Sequence, residues 1–204
     1  MCVIAISKKG NRQPNEKELF AMWKHNPDGA GYMYSRNNKV FIHKGFMTFS
    51  DFINAIRAEH FSRKDSVIYH FRISTQAGKT PFMTHPFPIT DDLSLCEKLD
   101  IICPIAIAHN GIIPVTSNPN EKRYSDTALF VTRFLSKLIN NSECLTDSCT
   151  LETIEMLGGF SKFAILEKSG QITTIGNFTK LNGILLSNTY HVETKWRSCY
   201  EYNV

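Results

Sequence analysis

The sequence has no C-x-x-C pair, and none of its six cysteines stands at metal-like spacing from a histidine, so no metal site or redox motif is read from them. No apolar stretch is long enough to cross a bilayer, and no basic-then-apolar leader precedes the body of the chain. Lys and Arg number 23 against 19 Asp and Glu, for a net charge of +4, and no run of them reaches the density of a nucleic-acid or membrane patch. EKR at 121–123 and SRKD at 62–65 read as solvated loops. Repeats and low-complexity segments are also lacking. These absences predict a cytoplasmic protein with reduced thiols, no cofactor, no metal, and neither nucleic acid nor membrane as partner.

What remains is an ordinary globular composition. The 204 residues are 42% hydrophobic and 21% charged, enough chain for one domain over 1–204 with a sizeable core. Cys103, inside IICPIAIA, reads as a small core hydrophobe. Cys144 and Cys149 are close enough in sequence to be bridged in an oxidising compartment.

Periodicity marks the elements. CVIAIS is a β-prone apolar run at the start, and NEKELFAMWKHN carries Leu19, Phe20 and Trp23 at helical spacing before the NPDG turn. AGYMYS and KVFIHKGF read as strands joined at Arg36-Asn37-Asn38. SDFINAIRAEHF reads as a helix capped by Ser50. SVIYHFRIST is a strand, followed by the long loop QAGKTPFMTHPFPITDD. IICPIAIAHN reads as one strand, and SDTALFVTRFLSKLI as a helix capped by Ser125, with Phe130, Phe134 and Leu138 along one side and Val131 and Leu135 adjacent. A shorter helix over TLETIEMLGG, a hairpin around Lys168–Gln171 and a strand over GILLSNT complete the series; the tail TKWRSCYEYNV fits no single class. Strands in antiparallel-looking groups, with helices inserted between the groups, predict an α+β fold.

The second residue is a cysteine. Intracellular removal of Met1 is permitted by a small second side chain, and it would put the Cys2 thiol beside a free α-amine. That amine has an ordinary pKa of about 7.7–8.0 and can serve as a base near neutral pH. Nucleophile and base would then share one residue. Four stretches line up with Cys2 in order and spacing: NPDGAGY (26–32), HFRISTQAG (70–78), AHNGIIP (108–114) and SDTALF (125–130).

Together they resemble the glutamine amidohydrolase domain of class II glutamine amidotransferases, which are N-terminal-nucleophile hydrolases. The DGxG form of the first of these stretches, DGAG, is most similar to the small stand-alone members. The resemblance implies a four-layer αββα sandwich of two mostly antiparallel sheets. It also implies hydrolysis of the glutamine side-chain amide through a Cys2 thioester, giving glutamate and ammonia. Asn110 and Gly111 would supply the oxyanion donors, Arg72 would hold the substrate carboxylate, and Asp126 its ammonium. Thr75 and His85 match positions that line or brace the substrate pocket, and Asp28 and Gly31 positions that shape the loop over the nucleophile. His109 reads as a satisfied core histidine.

Two departures stand out. Val3 replaces the glycine that often follows the nucleophile, and Gln76-Ala77-Gly78 is one residue longer than the usual T-x-G. A synthase domain is absent from the 204 residues, so a separate synthase subunit is the partner expected for the ammonia. Two other readings stay open: a hydrolase of another γ-glutamyl or linear amide, and a catalytically idle member serving as a binding or regulatory subunit.

Overall fold

Alternation within the strands decides the architecture. A computed structural model describes residues 1–74, 78–159 and 161–192; Thr75, the insertion at Gln76 and Ala77, and the tail 194–204 lie outside the described residues. Strand β1 (Val3–Ser7) is buried on both faces, with Val3 and Ala5 entering one core and Ile4 and Ile6 another. It therefore needs a layer on each side. It lies inside a seven-stranded sheet with β2 (Ala30–Arg36), β3 (Lys39–Phe46), β4 (Val67–Phe71), β6 (Asp100–Cys103), β10 (Thr179–Leu181) and β11 (Ile184–Leu186), in the order β10-β11-β1-β4-β2-β3-β6. A second sheet, in the order β5-β7-β8-β9, contains β5 (Phe87–Pro88), β7 (Ile105–Asn110), β8 (Lys162–Glu167) and β9 (Ile172–Ile175). The pairings in both sheets are antiparallel.

The sheets meet face to face. Ile4, Ile6, Met33, Ile42 and Ile68 of the first pack on Ala106, Ala108, Ala164 and Leu166 of the second. Three alanines on one inner face let the sheets approach closely, so a bulkier residue there would overpack at a cost of about 1–3 kcal/mol. The outer face of the first sheet is covered by α1 (Glu16–His25) and α2 (Phe49–Glu59) through Leu19, Met22, Phe52 and Ile53. The outer face of the second meets a helical run made of α3 (Asp126–Phe130), a π-helical stretch (Val131–Leu135) and α4 (Ser136–Leu138), together with α5 (Ser148–Leu157). Phe130, Val131, Leu135 and Ile154 pack there on Ile105, Ile107, Phe163 and Ile165. The result is the layered α+β sandwich, helices outside and two antiparallel sheets within.

Local chemistry explains the joints. Asn15 caps α1 reciprocally with Glu18. Asn37 and Asn38, both at positive φ, turn β2 into β3, and Asn182-Gly183 turns β10 into β11 in the same way. Several expectations are corrected. IICPIAIAHN is two strands in different sheets, because Pro104 cannot donate to a ladder and frees the chain to cross from β6 to β7. Thr48 caps α2 in place of Ser50, its hydroxyl accepting from the Asp51 N–H. The long loop contains β5, and β10 precedes the strand read in GILLSNT. The π turn widens the helix after Phe130, so Val131 and Leu135 face the core while Phe134 is 39% exposed. Phe20 of α1 is likewise half exposed, and Met22 takes its place inside. Cys144 and Cys149 are both free thiols.

Candidate active site

Strand register brings the sequence motifs to one end of the sandwich. Val3 pairs with Phe71 across β1 and β4, so Cys2 falls opposite Arg72 in the continuing antiparallel ladder. Ala30 also pairs with Phe71 from the other side, which sets the Gly29 carbonyl to accept from the Arg72 N–H at 2.8 Å and the Arg72 carbonyl to accept from the Asp28 N–H at 2.9 Å. Ala5 pairs with Leu186, which carries Ser187 alongside Ile4 and Asn188 alongside Val3. Four strands of the first sheet thus open onto the Cys2 end.

The Cys2 sulfur is partly buried, 3.4 Å from the Ile73 nitrogen and 3.6 Å from the Ile73 carbonyl oxygen. Burial pushes its thiol pKa up. The Ile73 N–H, the terminal ammonium and the Arg72 guanidinium each pull against that rise. Arg72 is buried, and burial lowers its own pKa while the negative charges at Cys2, Asp28 and Asp126 oppose the shift. One guanidinium therefore senses all three groups.

Asp28 ties down the far side. Burial raises its pKa, but the Lys79 ammonium at 2.6 Å and the Ser74 N–H at 2.9 Å outweigh that and hold the carboxyl below its usual range. Ser74 also donates its hydroxyl to the Gly78 carbonyl at 2.8 Å, closing the described ends of the 74–78 loop on each other. Gly31 lets β2 pass against the loop carrying His85: a Cβ there would come within 2.2 Å of the His85 carbonyl oxygen.

The second sheet contributes Asn110, the last residue of β7. Its Nδ2 donates to Ser187 Oγ at 2.8 Å, and the same oxygen accepts from the Ile4 N–H at 2.9 Å. Ser187 thus joins the Cys2 strand to the Asn110 amide. Asn188 donates from Nδ2 to the Cys2 carbonyl at 2.6 Å. Gly111 follows Asn110 where a Cβ would meet Ser161 Oγ at 2.3 Å and its Cα at 3.0 Å, too close for any side chain without a main-chain shift. Asp126 begins α3. Its Oδ2 accepts from the Ile113 N–H at 2.8 Å and its Oδ1 from the Thr127 N–H at 2.7 Å, so it joins the Gly111 segment to the helix start.

Behind this row lies a buried histidine cluster. His85 and His109 both approach Thr127 Oγ1, through Nε2 at 3.0 Å and Nδ1 at 2.8 Å, and His70 Nε2 lies 3.0 Å from the His109 carbonyl. Burial lowers the pKa of His70 and His109 to about 3 and that of His85 well below its ordinary value. Folding thus requires neutral rings. The unfolded chain takes up these protons near pH 6.5, and the folded chain does not until far lower pH. Stability is therefore complete above about pH 6.5 and falls with pH below it, by up to about 1.4 kcal/mol per ring for each pH unit. Melting temperature is expected to drop steeply between pH 6.5 and 5, above the range where carboxylates titrate. A flat profile across that window would contradict the neutral assignment.

Among the predicted site residues, Cys2, Arg72, Asp28, Asn110, Gly111 and Asp126 lie in one connected row, His85 sits just behind it, and Thr75 is outside the described residues. Sequence reasoning missed Ser187, Asn188, Thr127 and Lys79. The polar pair directly after the apolar GILL was the available signal for the first two. Among the described residues, no helix is long and apolar enough to cross a membrane, and no group of three His, Cys, Asp or Glu could hold a metal ion.

No family model matches the chain, and no curated protein matches it in sequence. Among solved structures, it is similar to glutamine phosphoribosylpyrophosphate (PRPP) amidotransferase from B. subtilis, complexed with ADP and GMP, with a TM-score of 0.53 and 14% identity. The match covers 91% of this chain and 41% of that one, so this chain spans less than half of its length. At that identity the likeness is one of fold.

Proposed function

We propose that residues 1–204 are a single glutaminase-type domain of the class II amidotransferase kind, which hydrolyses the side-chain amide of glutamine. The observation that carries the reading is the meeting of Cys2, Arg72, Asn110 and Asp126, drawn from two sheets and a helix start, at one end of a fold shared with an amidotransferase. Each has one task in that chemistry. Arg72 binds the α-carboxylate of glutamine and Asp126 its α-ammonium, which presents the side-chain amide to Cys2. Once Met1 is removed, the Cys2 amine takes the thiol proton while the sulfur attacks the amide carbon.

Charge then develops on the carbonyl oxygen. Asn110 spends one amide hydrogen on Ser187 and keeps a second for the oxyanion, beside the Gly111 N–H. The tetrahedral intermediate collapses as the amine passes its proton to the departing ammonia, leaving a thioester. Water, deprotonated by the same amine, cleaves the thioester to glutamate and restores the thiol. Ammonia leaves free or passes to a separate synthase subunit. Asp28 and Lys79 act at a distance, by holding the loop that follows Arg72.

The test uses the intact protein. Mass spectrometry is expected to show the chain without Met1, and an electrophilic glutamine analogue to add one label at Cys2. Glutamate release from glutamine, accompanied by ammonia, should exceed glutamate release from γ-glutamyl peptides, which share the same amino-acid end but lose an amine instead. A trimmed chain that neither takes the label nor releases ammonia would overturn the proposal.

A further inference from the structure

The Thr127 hydroxyl has three neighbours: Asp126 Oδ1 at 3.2 Å, His85 Nε2 at 3.0 Å and His109 Nδ1 at 2.8 Å. A hydroxyl has one hydrogen to give and two lone pairs to fill. A neutral imidazole carries its single hydrogen on one nitrogen, and a carboxylate only accepts. Suppose Thr127 gave its hydrogen to His109. The His109 hydrogen would then sit on Nε2, which is buried with no partner among the described residues. Giving it to His85 would strand a hydrogen on His85 Nδ1 in the same way. Buried hydrogens without acceptors are rare and costly, more so than spare lone pairs.

One arrangement leaves no hydrogen stranded among the described residues. His70 donates from Nε2 to the His109 carbonyl, His85 donates from Nε2 and His109 from Nδ1 to Thr127, and Thr127 donates to Asp126. The ring nitrogens then left bare are His70 Nδ1, His85 Nδ1 and His109 Nε2, the same three that are buried without partners. The depressed basicity of all three rings agrees with neutral histidines.

We infer that Thr127 is a positioning residue: two histidine N–H donors fill its lone pairs and so direct its hydrogen onto Asp126, fixing the carboxylate that receives the substrate ammonium. The inference rests on the proposed reading of Asp126 for its effect on substrate, although the hydrogen pattern exists in the resting protein. His85 and His109 act through Thr127 and touch no substrate.

Nitrogen-15 NMR of the resting wild-type protein reads the pattern without any turnover. The expected result is hydrogen on Nε2 of His70 and His85 and on Nδ1 of His109. The opposite tautomer at His85 or His109 overturns the inference, whatever the enzyme does. With glutamine as substrate, Thr127→Val is expected to raise KM about tenfold, the scale of one hydrogen bond to a charged group, with a smaller change in kcat. Thr127→Ser keeps the hydroxyl and should restore both. Equal losses in the two variants, or a fall in kcat with KM unchanged, would overturn it. If Thr127→Val does not fold, the serine variant and the tautomers still decide. If wild-type protein shows no turnover of glutamine, the proposed function fails, and the tautomer pattern is judged separately.

Discussion

Cys2→Ala is expected to abolish ammonia release from glutamine, with a loss on the order of 10⁴–10⁶-fold in kcat, the scale seen when a covalent nucleophile is deleted. The substitution removes the attacking atom and leaves the rest of the site in place. Its structural cost should be small, because the sulfur is only partly buried and its partners are the main-chain groups of Ile73. A change of less than about 1 kcal/mol is expected on denaturation. Glutamine binding should persist, since Arg72 and Asp126 are unchanged, and calorimetry on the variant would measure it. A variant that turns over glutamine at more than a trace rate would remove Cys2 from the chemistry. One that loses binding and stability together would assign Cys2 to structure.

Asn110→Ala is expected to lower kcat by about 10²–10³-fold with little change in KM, as when one oxyanion donor is removed. The reason is differential: the amide hydrogen meets charge that exists only after attack. The fold should survive, because Ser187 Oγ keeps the Ile4 N–H, and Asn110 stands at the end of β7. Ser187→Ala offers a graded companion. It leaves the Asn110 amide present but untethered from β1, and a loss of about tenfold in kcat would follow from imperfect placement. Thermal melts identify any general loss of structure. If Asn110→Ala changes KM and leaves kcat intact, the residue binds ground-state substrate and the oxyanion assignment is wrong.

Much of the local structure was legible from neighbouring residues alone. The apolar run of β1 and the Asn37-Asn38 turn both arise from interactions within a few positions. Position-specific errors came where a distant contact or a single residue overrode the pattern. Pro104 lies within an unbroken apolar run, and hydropathy does not reveal that the two halves enter different sheets. The π turn is invisible to a 3.6-residue period: Phe134 does pack beside Phe130, yet it is 39% exposed, while Val131 and Leu135 fill the core. Strand β5 is two residues long and exists because β7 offers it a ladder.

The site divides in the same way. The family resemblance carried by the motifs and their order singled out Cys2, Arg72, Asn110, Gly111 and Asp126. The tethers did not show. Ser187 is 183 positions from Ile4 and 77 from Asn110, and its importance comes from register across three strands.

By itself, then, the sequence determined most of the longer strands and helices, that no long apolar span is present, and which side chains carry reactive groups. These follow from backbone propensity and side-chain chemistry, which act over a few residues. Tertiary structure decided which of those groups share one end of the sandwich, which ones feel the Arg72 charge, and which hydroxyls hold them. Electrostatic and hydrogen-bonded coupling depends on separation in space, and the register of antiparallel strands sets that separation between residues far apart in the chain.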